Sequence, residues 1–311
     1  MSWILVALLA YSLLAISNLF DKFLVDNVLP SSKAYVFIAC LPGLLLLAGA
    51  PWFLNWPGYS WFIFNILTGC IFAVALWSIY EALRRGDASQ TVVVVGGLTP
   101  IFSIIFSILF FKEHYSPMEW IGIITLLVGI FIIALLPKHR HILSRVMAKL
   151  KITQNIQTSS LIFALISAFA YSVYFVATKY AYSTQSFASV FIWNRVGAAL
   201  FVLMFLVRRQ DRKQVLKVFK KSDHNKHKWL VVASQVLGSA GFVLQSYAVF
   251  LGSVALVNAL QGAQYALLLI ISSVLAVLSP KLLKETFSWR IFLQKLVAVI
   301  IIGFGLYFIM A

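Results

Sequence analysis

From Val92 to Phe111 the chain runs without one charged residue, and its apolar positions are continuous rather than alternating. Lipid offers a backbone no hydrogen-bond partner, so such a segment can cross a bilayer only as a helix or as part of a closed barrel. Barrel strands alternate apolar and polar residues, which leaves the helix. Similar runs, each near the roughly 20 residues that a membrane crossing needs, recur through all 311 residues. The chain is 62% hydrophobic and 11% charged, whereas a soluble domain carries about 25% charge. An all-α integral membrane protein is expected.

The stretch Tyr80 to Phe131 shows the grammar of the chain. Apolar runs are separated by the tight turns Arg84-Arg85-Gly86-Asp87 and Lys112-Glu113-His114-Tyr115-Ser116-Pro117. Read this way, the sequence predicts ten spans, at 3–28, 34–50, 59–83, 88–111, 117–137, 157–181, 186–207, 228–251, 253–279 and 286–310. The N-terminus lacks a basic start and its apolar run extends to Leu29, so it reads as a permanent span rather than a cleaved signal. Cys40 and Cys70 lie within apolar runs and read as small buried hydrophobes. No zinc spacing, cofactor motif or disulfide framework accompanies them.

A net charge of +16 commonly points to nucleic acid, but here the basic residues cluster between spans. An even number of spans places both termini on one side. Only Lys112 and the end of the span carrying Lys179 face that side, and Arg195 lies midspan. The other Lys and Arg gather on the opposite side. The positive-inside rule makes that opposite side cytoplasmic and both termini external. Loops 138–156 and 208–227 are then cytoplasmic. The loop from Arg208 to Lys228 sets Val215, Leu216, Val218 and Phe219 among lysines. It reads either as a short basic helix on anionic headgroups or as a solvated loop. His139, His141, His224 and His227 sit in basic surroundings, so no metal site is expected there.

The chain also repeats itself. Glu81 to Gly97 aligns with Tyr247 to Ala263, pairing Gly86 with Gly252 and Gly96 with Gly262. Each copy then leads to Lys-Glu, at 112–113 and 284–285, and to a tryptophan, Trp120 and Trp289. Earlier, Phe37 to Gly43 matches Phe191 to Gly197. Each half holds five spans, an odd number, so the second half is inverted relative to the first. Inverted repeats are a recurring design of secondary transporters. The expected organisation is residues 1–137 as the first repeat, 138–156 as a basic connection and 157–311 as the second repeat.

Tyr80, Glu81-Ala82-Leu83, Gly86, Ala88-Ser89, Leu98-Thr99-Pro100, Glu113, Glu119-Trp120-Ile121-Gly122 and Gly129 together resemble the EamA family of the drug/metabolite transporter superfamily. The likeness covers nearly the whole chain as two copies. The second copy departs where Ala266 stands in the place of Pro100, and where Ser279 to Glu285 replaces the tighter turn. The resemblance implies a two-fold bundle of ten helices around a central cavity, transporting small metabolites.

Ionisable residues inside a span are costly and mark candidate sites. Lys22 and Lys179 close the first spans of the two halves, as cavity or gate cations or as side chains snorkelling to headgroups. Arg195 lies too deep to snorkel, and is a candidate either for substrate or for a bond to another helix. Asp21 and Glu81 are candidate proton carriers. For Glu81 the alternative is pairing with Arg84 or Arg85, three and four residues on. For Asp21 it is pairing with a cation on a neighbouring span. Candidate cavity residues are Asn18, Trp77, Tyr80, Tyr171, Tyr174, Asn194, Gln245, Asn258, Gln261 and Tyr265, with interhelical hydrogen bonding as their alternative. Pro100 is a candidate hinge. Gly122, Gly129, Gly303 and Gly305 predict close packing of the fifth and tenth spans, as scaffold or at a dimer contact. Trp3, Trp52, Trp56 and Trp61 read as interface anchors.

The leading function is secondary transport by alternating access of the N-half against the C-half. The excess of Lys22, Lys179 and Arg195 over Asp21 and Glu81 points to anionic or zwitterionic solutes such as amino acids. The competing classes are an intramembrane enzyme, whose HExxH, GxGD, phosphate-loop and acidic-pair motifs are missing from the sequence, and a channel or scaffold. The expected partners are a small-molecule substrate and the bilayer, with anionic headgroups at 208–228 and no nucleic acid. The protein would act as a monomer or homodimer.

Overall fold

The computed structural model describes residues 2–27, 31–85, 88–134, 153–220, 228–278 and 289–310. The described residues contain helices and no strands. The helices are α1 (Trp3–Asn27), α2 (Ser32–Cys40), a 3-10 segment (Leu41–Gly49), α3 (Ala50–Phe53), α4 (Tyr59–Arg85), α5 (Ala88–Phe111) and α6 (Pro117–Ala134). After them come α7 (Thr153–Tyr182), α8 (Phe187–Leu203), α9 (Arg209–Lys220), α10 (Lys228–Leu251), α11 (Val254–Ala259), α12 (Gln261–Leu278) and α13 (Trp289–Met310). Seven runs among the described residues are long and apolar enough to cross a membrane: Trp3–Phe20, Ser32–Phe53, Tyr59–Arg85, Val94–Phe111, Ser159–Tyr182, Phe187–Leu206 and Val232–Leu251. Shorter apolar stretches, Pro117–Gly129, Val254–Leu268 and Val299–Ile309, occupy the places of the fifth, ninth and tenth expected spans.

Local chemistry sets the helix starts. Ser31, Ser186 and Ser253 sit in extended backbone and accept hydrogen bonds from the N–H groups of Ala34, Ser189 and Leu256, as N-cap serines do. At α6, Ser116 N–H donates to Glu119 (2.7 Å) and Glu119 N–H donates to Ser116 Oγ (3.2 Å). This reciprocal box, with Pro117 in the first helical position, fixes where the helix begins.

Two expected spans are not single helices. The second gives way at Leu41 to a 3-10 run ending at Gly49, because Pro42 has no N–H to continue the α-helical ladder. Nine 3-10 residues is a long run for a geometry usually confined to three or four. The ninth is interrupted at Leu260, whose carbonyl accepts from Ala263 N–H three residues on (2.9 Å). The basic segment after α8 does form a helix, α9. Its Val215 is buried in protein and α9 packs on α2, with Asp211 bound to Lys33 at 2.7 Å. The side chains of Leu216, Val218 and Phe219 lie outside the described residues.

The tightest packing pairs α1 with α10, α4 with α7 and α6 with α13. Each pair joins a helix from the first half to one from the second. Ser17 of α1 donates to Ser234 O of α10 (3.0 Å), while Ser160 and Ser167 of α7 donate to Ala82 O (2.8 Å) and Ala75 O (2.9 Å) of α4. Glycine permits the closest approaches. At the α4–α8 crossing, a Cβ on Gly197 would stand 2.2 Å from Ile66 O, and one on Gly69 would stand 2.0 Å from Asn194 O. At the α6–α13 crossing, a Cβ on Gly122 would stand 2.9 Å from Gly305 O. Large apolar side chains such as Leu5, Leu9, Ile63, Leu67, Ile124, Leu200 and Phe304 face outward, as lipid contact requires and water would penalise.

Candidate functional site

Arg195 organises the interior. It sits on α8, one turn beyond Phe191, and its guanidinium carbon lies 4.2 Å from the ring centre of Phe242, 4.5 Å from Phe72 and 4.9 Å from Phe191. The rings come from α10, α4 and α8. The aliphatic stem lies against Gly43 in the 3-10 segment, where a Cβ would stand 3.2 Å from Arg195 Cδ. Arg195 Nη2 is buried with no hydrogen-bond partner, and Arg195 makes no ion pair with any carboxylate among the described residues. A charge at the centre of a bilayer costs about 3 kcal/mol on insertion scales and more by other measures. Cation–π contacts of about 2 kcal/mol each when desolvated offset much of that. They leave the edge of the guanidinium unanswered.

That edge belongs to a wider cluster. The Tyr174 and Tyr182 hydroxyls of α7 lie within electrostatic reach of Arg195. Tyr174 is also close to Thr178, Ser246 and Asn194. Asn194 Nδ2 donates to Thr178 Oγ1 (3.1 Å). Tyr174 Oη, Tyr182 Oη, Ser246 Oγ and Asn194 Oδ1 are each buried with no hydrogen bond of acceptable geometry. A buried polar atom left unpaired costs about 1–3 kcal/mol, which sets this cluster apart within the interior.

The expected cavity residues divide into distinct groups. Tyr174, Asn194 and Arg195 come together, and the Tyr171 ring contacts Phe72 of the cage at 6.1 Å. Gln245 and Asn258 belong to an interhelical network instead. Gln245 Nε2 donates to Tyr11 Oη (3.3 Å), Tyr11 donates to Val257 O (2.7 Å), and Asn258 Nδ2 donates to Ser103 Oγ of α5 (2.8 Å). Trp77 packs against Phe163 and Phe205, and Tyr80 against Tyr35. Asn18 is half-buried on α1, and Gln261 is half-buried at the first position of α12. The side chains of Asp21, Lys22 and Tyr265 lie outside the described residues.

Lys179 caps a helix. Its ammonium donates to Val249 O (2.9 Å), Phe250 O (3.0 Å) and Gly252 O (2.8 Å), the carbonyls left unpaired where α10 ends. Glu81 is paired: Arg85 donates to it at 3.0 Å and Ser32 at 2.7 Å. Pro100 lies inside α5. Ser172 of α7 donates to the carbonyl of Thr99 just ahead of it (2.8 Å), tying α7 to this part of α5.

At the face of the bundle that bears Trp3, one network was not foreseen. Glu113 accepts from Tyr115 (2.5 Å) and from Ser253 (2.6 Å), joining the α5–α6 turn to the start of α11. Burial and the Glu113 carboxylate push the Tyr115 hydroxyl above its ordinary pKa. Lys112 takes a positive φ of 52° in this turn. Lys112-Glu113, legible in the sequence as a repeat marker, thus also ties the two halves together. The aromatic cage had one local signal, Phe191 four residues before Arg195. Phe72, Phe242, Tyr182 and Ser246 had none, because tertiary packing alone brings them in.

The EamA-like transporter family profile matches residues 1–135 and 158–311. An uncharacterized transporter from the cobO 3' region of a Sinorhizobium species is 27% identical over 138 residues, 43% of this chain and 96% of that protein. A protein of solved crystal structure superposes with a TM-score of 0.67 at 17% identity, over 98% of this chain and 95% of its own, which shows a shared fold. The chain belongs to the EamA-like transporter family.

Proposed function

We propose that the protein is a secondary transporter that carries small anionic or zwitterionic metabolites, amino acids among them, across a cell membrane by alternating access. The observation that carries this reading is Arg195, a cation in the bundle interior with a buried, unbonded Nη2 and no carboxylate partner among the described residues.

The fold supports two inverted five-helix repeats. The α1–α10 and α4–α7 contacts are what an inverted two-fold would exchange, and α6–α13 is the pair such an axis would map onto itself. Because these pairs cross between halves, the moving units are mixed bundles, α1 with α10 and α12 against α4 with α7 and α8, rather than the N-half against the C-half. Pro100 in α5 and the break at Leu260 are the flexing points. They flank the Asn258–Ser103 contact and lie away from the Glu113–Ser253 contact, both of which close the bundle toward the Trp3 face. By charge bias that face is external, and loops 138–156 and 208–227 are cytoplasmic. Glu81 is proposed as an ion-pair partner whose proton exchange, if transport is proton-driven, must first break Arg85 and Ser32.

Alternating access requires the Asn258–Ser103 contact to open. A Ser103→Cys/Asn258→Cys variant in proteoliposomes should lose substrate uptake on oxidation and regain it on reduction, while either single variant is insensitive. Uptake unaffected by a crosslink verified by mass would sink the mechanism.

A further inference from the structure

We infer that the Arg195 cluster recognises a monocarboxylate with an apolar body, in preference to a zwitterion, a dianion or an amine. The inference rests on the transport reading above and narrows its substrate class.

The charge count comes first. One guanidinium faces the cluster, and Lys179, the nearest other cation on α7, is committed to three carbonyls. One negative charge balances the site. A phosphate ester or a dicarboxylate would bring a second with nothing to meet it. The hydrogen-bonding inventory comes next. Arg195 Nη2 only donates, and the hydroxyls of Tyr174, Tyr182 and Ser246 each have a proton to give. Asn194 gives one of its two amide N–H groups to Thr178, and its Oδ1 is the one acceptor-only atom in the set. This is a donor-rich surface suited to the two oxygens of a carboxylate. An α-ammonium group would find only neutral acceptors, the hydroxyl oxygens and one amide oxygen, with no carboxylate among the described residues and a guanidinium next to it. Finally, the walls are aromatic: Phe72, Phe191 and Phe242 cover the guanidinium faces. The cage leaves Arg195 Nη2 for the carboxylate, and aromatic surroundings suit an apolar body better than a polar one. A free amine is the worst fit, since its natural cation–π position is already held by Arg195.

Four probes of similar size separate the alternatives: phenylacetate, phenylalanine, succinate and phenethylammonium, titrated into purified full-length protein in nanodiscs by calorimetry and thermal shift. Phenylacetate should bind saturably and at least tenfold more tightly than the other three. Arg195→Gln should abolish its binding. Tyr182→Phe and Ser246→Ala, which remove one hydroxyl each, should each weaken binding about tenfold while the ligand-free melting temperature stays close to that of the parent. Should Arg195→Gln fail to fold, those two variants carry the test alone. Tighter binding of phenylalanine, succinate or phenethylammonium would overturn the inference. So would no saturable phenylacetate binding, or phenylacetate binding unchanged in Tyr182→Phe and Ser246→Ala. Flux assays separate this outcome from the transport reading. Carboxylate binding without flux in proteoliposomes would remove transport and leave the site. Crosslink-sensitive flux of other solutes without carboxylate binding would remove the site and leave transport.

Discussion

Lys179 and Arg195 are both cations within spans, and their surroundings assign them opposite tasks. The Lys179 ammonium has three carbonyl acceptors within 3.0 Å, so its charge completes α10. Lys179→Met keeps the stem and loses the bonds. It should lower stability by about 2–4 kcal/mol, since hydrogen bonds to charged groups are worth roughly 1.5–3 kcal/mol each and do not add fully. Chemical unfolding in detergent would measure this, with partial recovery in Lys179→Arg. An unchanged midpoint would remove the capping role. Arg195 has aromatic faces instead of acceptors, and its charge stays available. It stood out in the sequence as a candidate because a lone charge deep in an apolar run is costly. Its partners did not, because Phe72 and Phe242 look like every other phenylalanine in a chain that has 26.

At the level of helices, the hydropathy pattern fixes where spans lie but says little about where they break. Pro42 explains the change at Leu41 in physical terms. The interruption at Leu260 has no proline of its own and arises where Val254–Ala259 turns onto α5. Close crossings were partly legible, since Gly122 and Gly305 were expected at an interface and meet there, whereas Gly303 has open space around it. This difference is measurable. Gly197→Ala must push α8 off α4 and should cost about 1–3 kcal/mol, the usual penalty for overpacking. Gly303→Ala meets nothing within 4 Å and should be neutral or stabilising by up to about 1 kcal/mol from helix propensity. Melting both variants in detergent checks the pair, and equal destabilisation would contradict the described crossings.

For the whole molecule, the proposed orientation rests on charge rather than shape. Gln214 is exposed on α9. A single cysteine placed there in a background free of Cys40 and Cys70 should react with a membrane-impermeant maleimide only after the cells are opened. Labelling of intact cells would reverse the assigned topology. An expected doubling of the chain was legible from ordered glycines and Lys-Glu pairs, because such local signals can be read within each copy. How the copies dock was not, since serine-to-carbonyl contacts such as Ser167 to Ala75 leave no pattern in either copy alone.

Those contacts have a consequence for assembly. α1 clasps α10, α4 clasps α7, and α6 clasps α13, so each half supplies surfaces that only the other half covers. The peptide connection between them is then not what keeps them together. Expressed as two separate polypeptides, 1–137 and 157–311, the halves should find each other in the membrane and copurify through a tag on one. Either fragment expressed by itself should be degraded, with its serines and glycines facing lipid. A fold of this kind could as well be encoded by two genes as by one.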